Sequence, residues 1–408
     1  MLQRAGRSLG HWLRHWPRRK IIAFGAGFLA LLLIGVTATG YEILHHFNAN
    51  IQQDDISGLL GAQPVNTHPQ AENIMVIGSD SRDGLNASYG TGLVTDQSDT
   101  LMVIHIPADR QWAEVMSIPR DSWVNIPACE MGDGQASGPT QFKINEAFAI
   151  GNLDGNHTNL GVACTVKTVE QDTGIYINHF IVVNFTGFEN MVAALGGVYE
   201  CNPTAIDDPN SDLHLSAGNH LLTPAEALGY VRARYSLGDG SDLERIGRQQ
   251  AFMSSLISRV RGELYNPLAL YRFLDAFTKS LTIDTQLGGI TGLYDLGQSL
   301  RAIPASKIAF FTLPNYTDPS ATANVLWTQP EDDQIFASFR DDQPASSSLF
   351  GPSTTGAPTR GSASPAATSA PPATGGHPLS TSPSPSATPS ASPLKIAART
   401  ANQSICAG

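Results

Sequence analysis

Four arginines crowd the segment YVRARYSLGDGSDLERIGRQQ, residues 230–250: Arg232, Arg234, Arg245 and Arg248. Guanidinium forks bind phosphate oxygens in bidentate fashion, so the cluster suits a phosphorylated ligand. The plain alternative is a surface network with Asp239, Asp242 and Glu244. Exposed pairs contribute only ~0–1 kcal/mol each, which gives stability little reason to gather four such groups. Three other segments add companions. NIMVIGSDSRDG ends an apolar run in a loop with Asp80, Arg82 and Asp83, QSDTLMVIHI starts a second run at Asp99, and SIPRDSWVNIP ends a third at Arg120 and Asp121. Ligands of α/β sheets bind beyond the carboxyl ends of strands. Two carboxylates held near several arginines suit a magnesium ion that shares its oxygen ligands with a phosphate. No GxSxG, HExxH or metal-spaced Cys/His set occurs, which disfavours serine, cysteine and zinc hydrolases.

The elements that must position these groups have their own signals. Thr223, Pro224 and Glu226 form a helix start, with Thr as N-cap, Pro at the first position and Glu three after the cap. Ser241 and Glu244 repeat the spacing, and Leu243, Ile246, Met253, Ile257 and Val260 then form an apolar stripe. Arg245 and Gln249 share another face of that helix, where its N-terminus favours anions. Arg232 and Arg234 lie two apart, so an extended strand would align them and a helix would split them. The first helix is therefore expected to end near Tyr230. Strand-length apolar bursts lie at 73–78, 100–106, 113–118, 176–184 and 308–312. Helical patterns lie at about 143–150, 161–172, 187–195, 224–231, 242–262, 267–281 and 290–302. The alternation predicts one α/β layered domain over residues 71–340.

Around that domain the chain is strongly patterned. Six of its 25 Lys and Arg lie in residues 1–20, so 19 basic side chains face 36 acidic ones in the remainder, a poor surface for phosphate neutralisation along a nucleic acid. Residues 21–41 carry no charge and are long enough to cross a ~30 Å hydrocarbon core. The basic residues precede this run and none follows until Arg82, which predicts a single-pass cell-membrane anchor with a cytoplasmic tail (1–20) and an extracytoplasmic domain. Residues 42–70 read as a stalk, 341–393 as a disordered linker of Pro, Ser, Thr, Ala and Gly, and 394–408 as a tail that docks back. In an oxidising compartment the four cysteines are disulfide candidates. Of the three connectivities, Cys129 with Cys164 and Cys201 with Cys406 is the expected one.

The ordered segments NIMVIGSDSR, SDTLMVIHI, SIPRDSWVNIP, KINEAFAIG, GGVYECNP and ALGYVRARY…DLERIGRQQAF resemble the LytR-CpsA-Psr (LCP) family of bacterial envelope proteins across roughly residues 72–312. The resemblance implies a three-layer α/β/α domain with a central mixed sheet behind one transmembrane helix. It also implies transfer of a glycopolymer, such as teichoic acid or arabinogalactan, from a polyprenyl-pyrophosphate carrier to a peptidoglycan hydroxyl, with a pyrophosphatase side activity. By the same resemblance Asp80 and Asp99 would hold Mg2+ (or Mn2+). Arg82, Arg120, Arg232, Arg234, Arg245 and Gln249 would hold the pyrophosphate, with Arg120 and Arg245 also catalytic. Asp242 would take the acceptor proton. Arg248 is expected to be structural. The helices from Lys143 and over 187–195 are candidates for a prenyl groove. The chain departs from the family pattern at Gln97, where many relatives carry Arg two residues before the aspartate. Two alternatives stand beside the transferase: a non-catalytic polyprenyl-phosphate or cell-wall binding protein, and a transcriptional attenuator.

Overall fold

Strands with apolar residues at both parities must be covered on both faces. A computed structural model describes residues 18–79, 97–153, 155, 157–234, 242–263, 266–345, 350–351 and 396–401. It gathers the expected bursts into one sheet: β2 (Glu72–Ser79), β3 (Ser98–Ile106), β4 (Ala113–Ile118), β5 (His179–Asn184) and β7 (Ile308–Thr312). Four shorter strands extend it: β1 (Gln52–Asp54), β6 (Leu281–Asp284), β8 (Phe350–Gly351) and β9 (Ile396–Thr400). The order is β1–β6–β5–β2–β3–β4–β7–β9–β8. β2 runs antiparallel to β3 and parallel to β5, so the sheet is mixed.

Met75, Ile77, Leu101, Val103, Met116 and Phe180 face one way. They pack against α2 (Glu146–Gly151), α3 (Thr158–Thr173) and α9 (Glu331–Arg340), through side chains such as Phe148, Val166 and Phe336. The alternate set, including Ile74, Met102, Val115 and Phe310, faces Met253 and Ile257 of α6 (Asp242–Glu263) and Leu296 and Leu300 of α8 (Gly289–Ala302). α4 (Phe185–Ala194) and α5 (Pro224–Arg232) join α6 around a third cluster that includes Val192, Tyr230 and Phe252. The sheet thus lies between two helical layers, the α/β/α arrangement with a mixed sheet that the family resemblance implies. Cys129 and Cys164 are joined, with Cα atoms 5.3 Å apart. Cys201 sits on the ribbon strand Val198–Asn202, and Cys406 lies outside the described residues.

One flank differs from expectation. The apolar helix does not stop at Tyr41: α1 (Arg18–Asn50) runs on through the segment read as a stalk. Phe47 and Ile51 are buried against Leu281, Ile283 and Ile290, and β1 then pairs with β6. The polar residues of 42–50 hid this because packing on α7 (Pro267–Thr278) and α8 prolongs the helix. At the other end, β9 pairs antiparallel with β7, so the tail adds a strand to the sheet. Most of the expected linker, 346–349 and 352–393, lies outside the described residues.

The segment just after α9 makes one buried contact with a measurable consequence. The Glu114 carboxylate accepts the Ala345 amide at 3.1 Å, and burial pushes its pKa up to about 7. A raised acid contributes stability that is present below its unfolded pKa near 4.5 and is lost as pH rises through 7. His105, opposite Glu114 across β3 and β4, is held down to about 4 by burial, against the pull of Asp342, and so acts in the other direction, losing stability as pH falls below 6.5. Glu114→Gln should remove its share of the loss between pH 5 and 8, on the order of 2–3 kcal/mol. Denaturant unfolding of both proteins across that range checks it, and parallel profiles would refute it.

Candidate functional site

Three local features open a cleft between the sheet and the helices α4, α5 and α6. β2 ends at Gly78 and Ser79 beside Thr100 at the start of β3. Asn184 closes β5 and caps α4 by accepting the Gly187 amide at 2.8 Å. Thr223 and Glu226 form the predicted capping box of α5. The cleft holds about 290 Å³ of water-accessible space.

Asp99, Arg120, Arg232, Arg234, Arg245 and Gln249 all line it, although more than a hundred residues separate Arg120 from Arg232 in the chain. Arg120 is ion-paired with Asp99 through Nη1. Its Nε stands 3.8 Å from Asp121, which Lys143 also contacts at 2.6 Å. Arg245 approaches the same Asp99 oxygen at 4.0 Å and donates to the Asp99 carbonyl at 3.3 Å. It is only 4% exposed, so it holds its charge largely away from water and in the first turns of α6, where the helix dipole also favours anions. Gln249, one turn on, donates to Thr100 Oγ1 at 3.0 Å and to the Val231 carbonyl at 3.2 Å, tying α6 to β3 and α5. Arg232 lies over the Phe185 ring at 4.6 Å, a contact that favours a flat cation. Four guanidinium groups against the carboxylates of Asp99 and Asp208 leave the described lining net positive. Much of the remainder is apolar, with Phe188, Met191, Leu228, Val231, Leu256 and Phe252.

The structure separates the other sequence candidates. Arg248 is buried and donates to the Ala233 carbonyl, outside the cleft lining, in keeping with a structural role. The helix α5 reaches Arg232, two residues past the expected end, and only Ala233 turns extended. Arg232 and Arg234 therefore meet in the cleft around a helix terminus and not along a strand. Of the two groove candidates, α4 lines the cleft, while α2 packs into the core on the opposite face of the sheet. Asp80, Arg82 and the Asp242 side chain lie outside the described residues. Gln97 donates to the Glu146 carboxylate and accepts from Asn145 at 3.1 Å. Burial holds the Glu146 carboxyl up, against the pull of Lys143.

Sequence reasoning missed Asp208, which sits in AIDDPNSD and reads there as an ordinary turn residue. The structure buries it completely, where its carboxylate accepts the amides of Arg234 at 2.6 Å and Asn210 at 3.0 Å. It thereby fixes the backbone that carries Arg234. Asp208→Ala should leave these part-buried amides without their carboxylate, costing about 1–2 kcal/mol in denaturant unfolding. Affinity for a soluble pyrophosphate should fall about tenfold, the equivalent of ~1.4 kcal/mol, by calorimetric titration. Unchanged affinity would mean that the Arg234 position does not depend on Asp208.

Residues 36–340 match the model of the LytR_cpsA_psr family. The chain belongs to that family. It is 30% identical over 336 residues to a probable cell wall biosynthesis protein LcpB of Corynebacterium glutamicum, an alignment covering 79% of this chain and 74% of the relative. It is 27% identical over 302 residues to the polyisoprenyl-teichoic acid–peptidoglycan teichoic acid transferase TagT of Bacillus subtilis, covering 71% of this chain and 85% of TagT. Among solved structures, a LytR-Csp2A-Psr enzyme from Actinomyces oris superposes with a TM-score of 0.51 at 21% identity, over 71% of this chain and 95% of the other. In this LytR_cpsA_psr protein, then, the family's domain is the part that carries the arginine-lined cleft.

Proposed function

We propose that this protein transfers a glycopolymer from a polyprenyl-pyrophosphate carrier to a hydroxyl of peptidoglycan. The observation that carries the proposal is the meeting of four arginines and Asp99 with a largely apolar lining in one cleft. A lipid pyrophosphate has that duality of charged head and hydrocarbon tail. The relatives named as teichoic acid transferases support the same chemistry.

In the proposed reaction the acceptor oxygen attacks the phosphorus on the polymer side of the pyrophosphate. A new P–O bond forms, the bond to the bridging oxygen breaks, and polyprenyl phosphate leaves with the bond's electrons. The acceptor proton goes to Asp242, which needs no raised pKa for this because the hydroxyl acidifies only as attack proceeds. Arg120 and Arg245 stabilise charge on the non-bridging oxygens, and Arg232 and Arg234 hold the departing phosphate. The Asp99 carboxylate is a hard oxygen donor among these arginines, which suits Mg2+ (or Mn2+) when substrate phosphates and Asp80 complete its shell. Such an ion would supply further charge neutralisation at the phosphates. We assign α1 to the membrane, with its basic N-terminal side in the cytoplasm and the cleft outside.

The test uses the full chain in proteoliposomes with a lipid-linked oligosaccharide and peptidoglycan fragments. Sugar should enter the peptidoglycan with Mg2+ present, and a chelator should lower the rate at least tenfold. Tight lipid binding without transfer under any metal condition would favour the non-catalytic binding reading instead.

A further inference from the structure

The helix α7 packs directly against α1 where α1 leaves its apolar run. Tyr271 stacks on His46 with ring centres 6.3 Å apart and meets Phe47 at 5.3 Å. Asp275 bonds His46 at 2.7 Å and Asn50 at 3.2 Å, and Thr278 bonds Asn50 at 3.2 Å. Later residues of α7 meet later residues of α1, so the two helices run in the same direction. Carried one turn back, this register sets Leu268 level with about Thr39 to Ile43, within ~3 Å along the axis of Tyr41, where the uncharged run ends. Along α1 the apolar side chains up to Leu44 are exposed, and the first buried one is Phe47.

The outward side of α7 has the composition of a membrane-interface helix. Leu268 is 60% exposed and Tyr271 40%, with Arg272 exposed beside them. Leu274 and Phe277 point inward, onto the cluster around Phe47 and Leu281. Tyr294 of α8, the neighbouring helix whose first turn is tied to Asn48, is 63% exposed. Exposed Tyr and Leu with an adjacent cation, set at the end of a spanning helix, fit the headgroup–acyl boundary.

We propose that the N-terminal half of α7 docks on the lipid bilayer, with Leu268 and Tyr271 in the outer interfacial zone and Arg272 among the lipid phosphates. This rests on the reading that α1 crosses the membrane, and it adds a second anchoring point that fixes the domain's tilt. The docking has a consequence for the cleft. α4, which supplies Phe185, Phe188 and Met191 to the lining, packs against α7. The apolar wall of the cleft is thereby held beside the bilayer, so a lipid tail can pass between them with little exposure to water.

The experiment places a photoreactive benzoylphenylalanine, singly, at Leu268, Tyr271, Leu31 of α1 and Tyr316, in the full chain reconstituted in nanodiscs of phosphatidylglycerol and phosphatidylcholine. Tyr316 is an equally accessible control at 50% exposure, on the ribbon that follows β7. Lipid adducts are counted by intact-protein mass spectrometry. Adducts at Leu268 and Tyr271 should exceed those at Tyr316 at least fivefold, alongside strong labelling at Leu31. Labelling at Leu31 with Leu268 and Tyr271 no higher than Tyr316 overturns the docking alone. No adduct at Leu31 overturns the docking and the spanning assignment together. Neither readout involves transfer, so a failed activity assay leaves the result intact.

Discussion

Arg245→Met is expected to lower the rate of transfer by about three orders of magnitude, close to 4 kcal/mol of lost transition-state stabilisation. The size follows from position. Arg245 is the most buried of the cleft arginines, at 4% exposure, and it is held from two directions by the Asp99 carboxylate and the Asp99 carbonyl. A guanidinium so fixed reorganises little when charge develops on a phosphoryl oxygen, and a low local dielectric raises its effect. Single phosphate-clamping arginines in phosphoryl transfer are worth roughly 10³–10⁵. The fold should survive, because Asp99 keeps its pairing with Arg120 and Met fills much of the same volume. Arg245→Lys should recover no more than about tenfold, since an ammonium cannot reproduce the two-pronged geometry. Single-turnover transfer with the full chain, paired with thermal unfolding, reads both quantities. A Met variant within tenfold of the parent protein, properly folded, would remove Arg245 from the chemistry.

The parts of the fold that could be read from sequence were those whose burial imposes a period. NIMVIG and TLMVIHI bury side chains on both faces, so their apolar runs were unbroken and their strands evident. The stripe of Met253 and Ile257, with the buried Ile246 two turns earlier, marked α6 for the same reason. β1 is the opposite case: Gln52, Gln53 and Asp54 form an edge strand with little burial, and their pairing with β6 depends on backbone contacts that composition does not reveal. The helical continuation past Tyr41 was hidden likewise, because its polar residues become helical only by packing on α7 and α8.

Within the site, residue types were legible and their convergence was not. That Arg120 faces Arg245 across a shared carboxylate is a fact of topology: β3 and β4 are adjacent, and α6 crosses the same sheet ends. The resemblance supplied that convergence as an expectation. Asp208 gave no signal, since a buried aspartate that accepts loop amides has the same sequence context as an exposed turn. Gln97 carries the reverse lesson. Where the family pattern carries an arginine, this sequence has an amide, which joins Glu146 and Asn145 and is not part of the described lining of the cleft.

Asp99→Asn separates an enzyme from a lipid-binding protein more sharply than any arginine variant, because binding and turnover should move in opposite directions. The Asp99 carboxylate sits between Arg120 and Arg245, neutralising charge that would otherwise attract the anionic ligand. The asparagine keeps the shape and one hydrogen-bond acceptor but removes the negative charge. Measured without a divalent cation, affinity for a pyrophosphate should therefore hold or tighten, by up to about tenfold, as a like-charge repulsion disappears. Transfer should nevertheless fall roughly 10²–10³-fold, since the arginines lose the carboxylate that orients them and the cleft loses a carboxylate donor suited to a hard cation. The chelator effect on the remaining activity should shrink accordingly. A binding protein has no use for the charge in turnover, so on that reading the same variant would bind at least as well with nothing to lose. Equilibrium binding of a labelled polyprenyl pyrophosphate and single-turnover transfer, measured on one preparation, decide the matter. Retention of transfer within a few-fold would reduce Asp99 to a structural partner of Arg120 and Arg245.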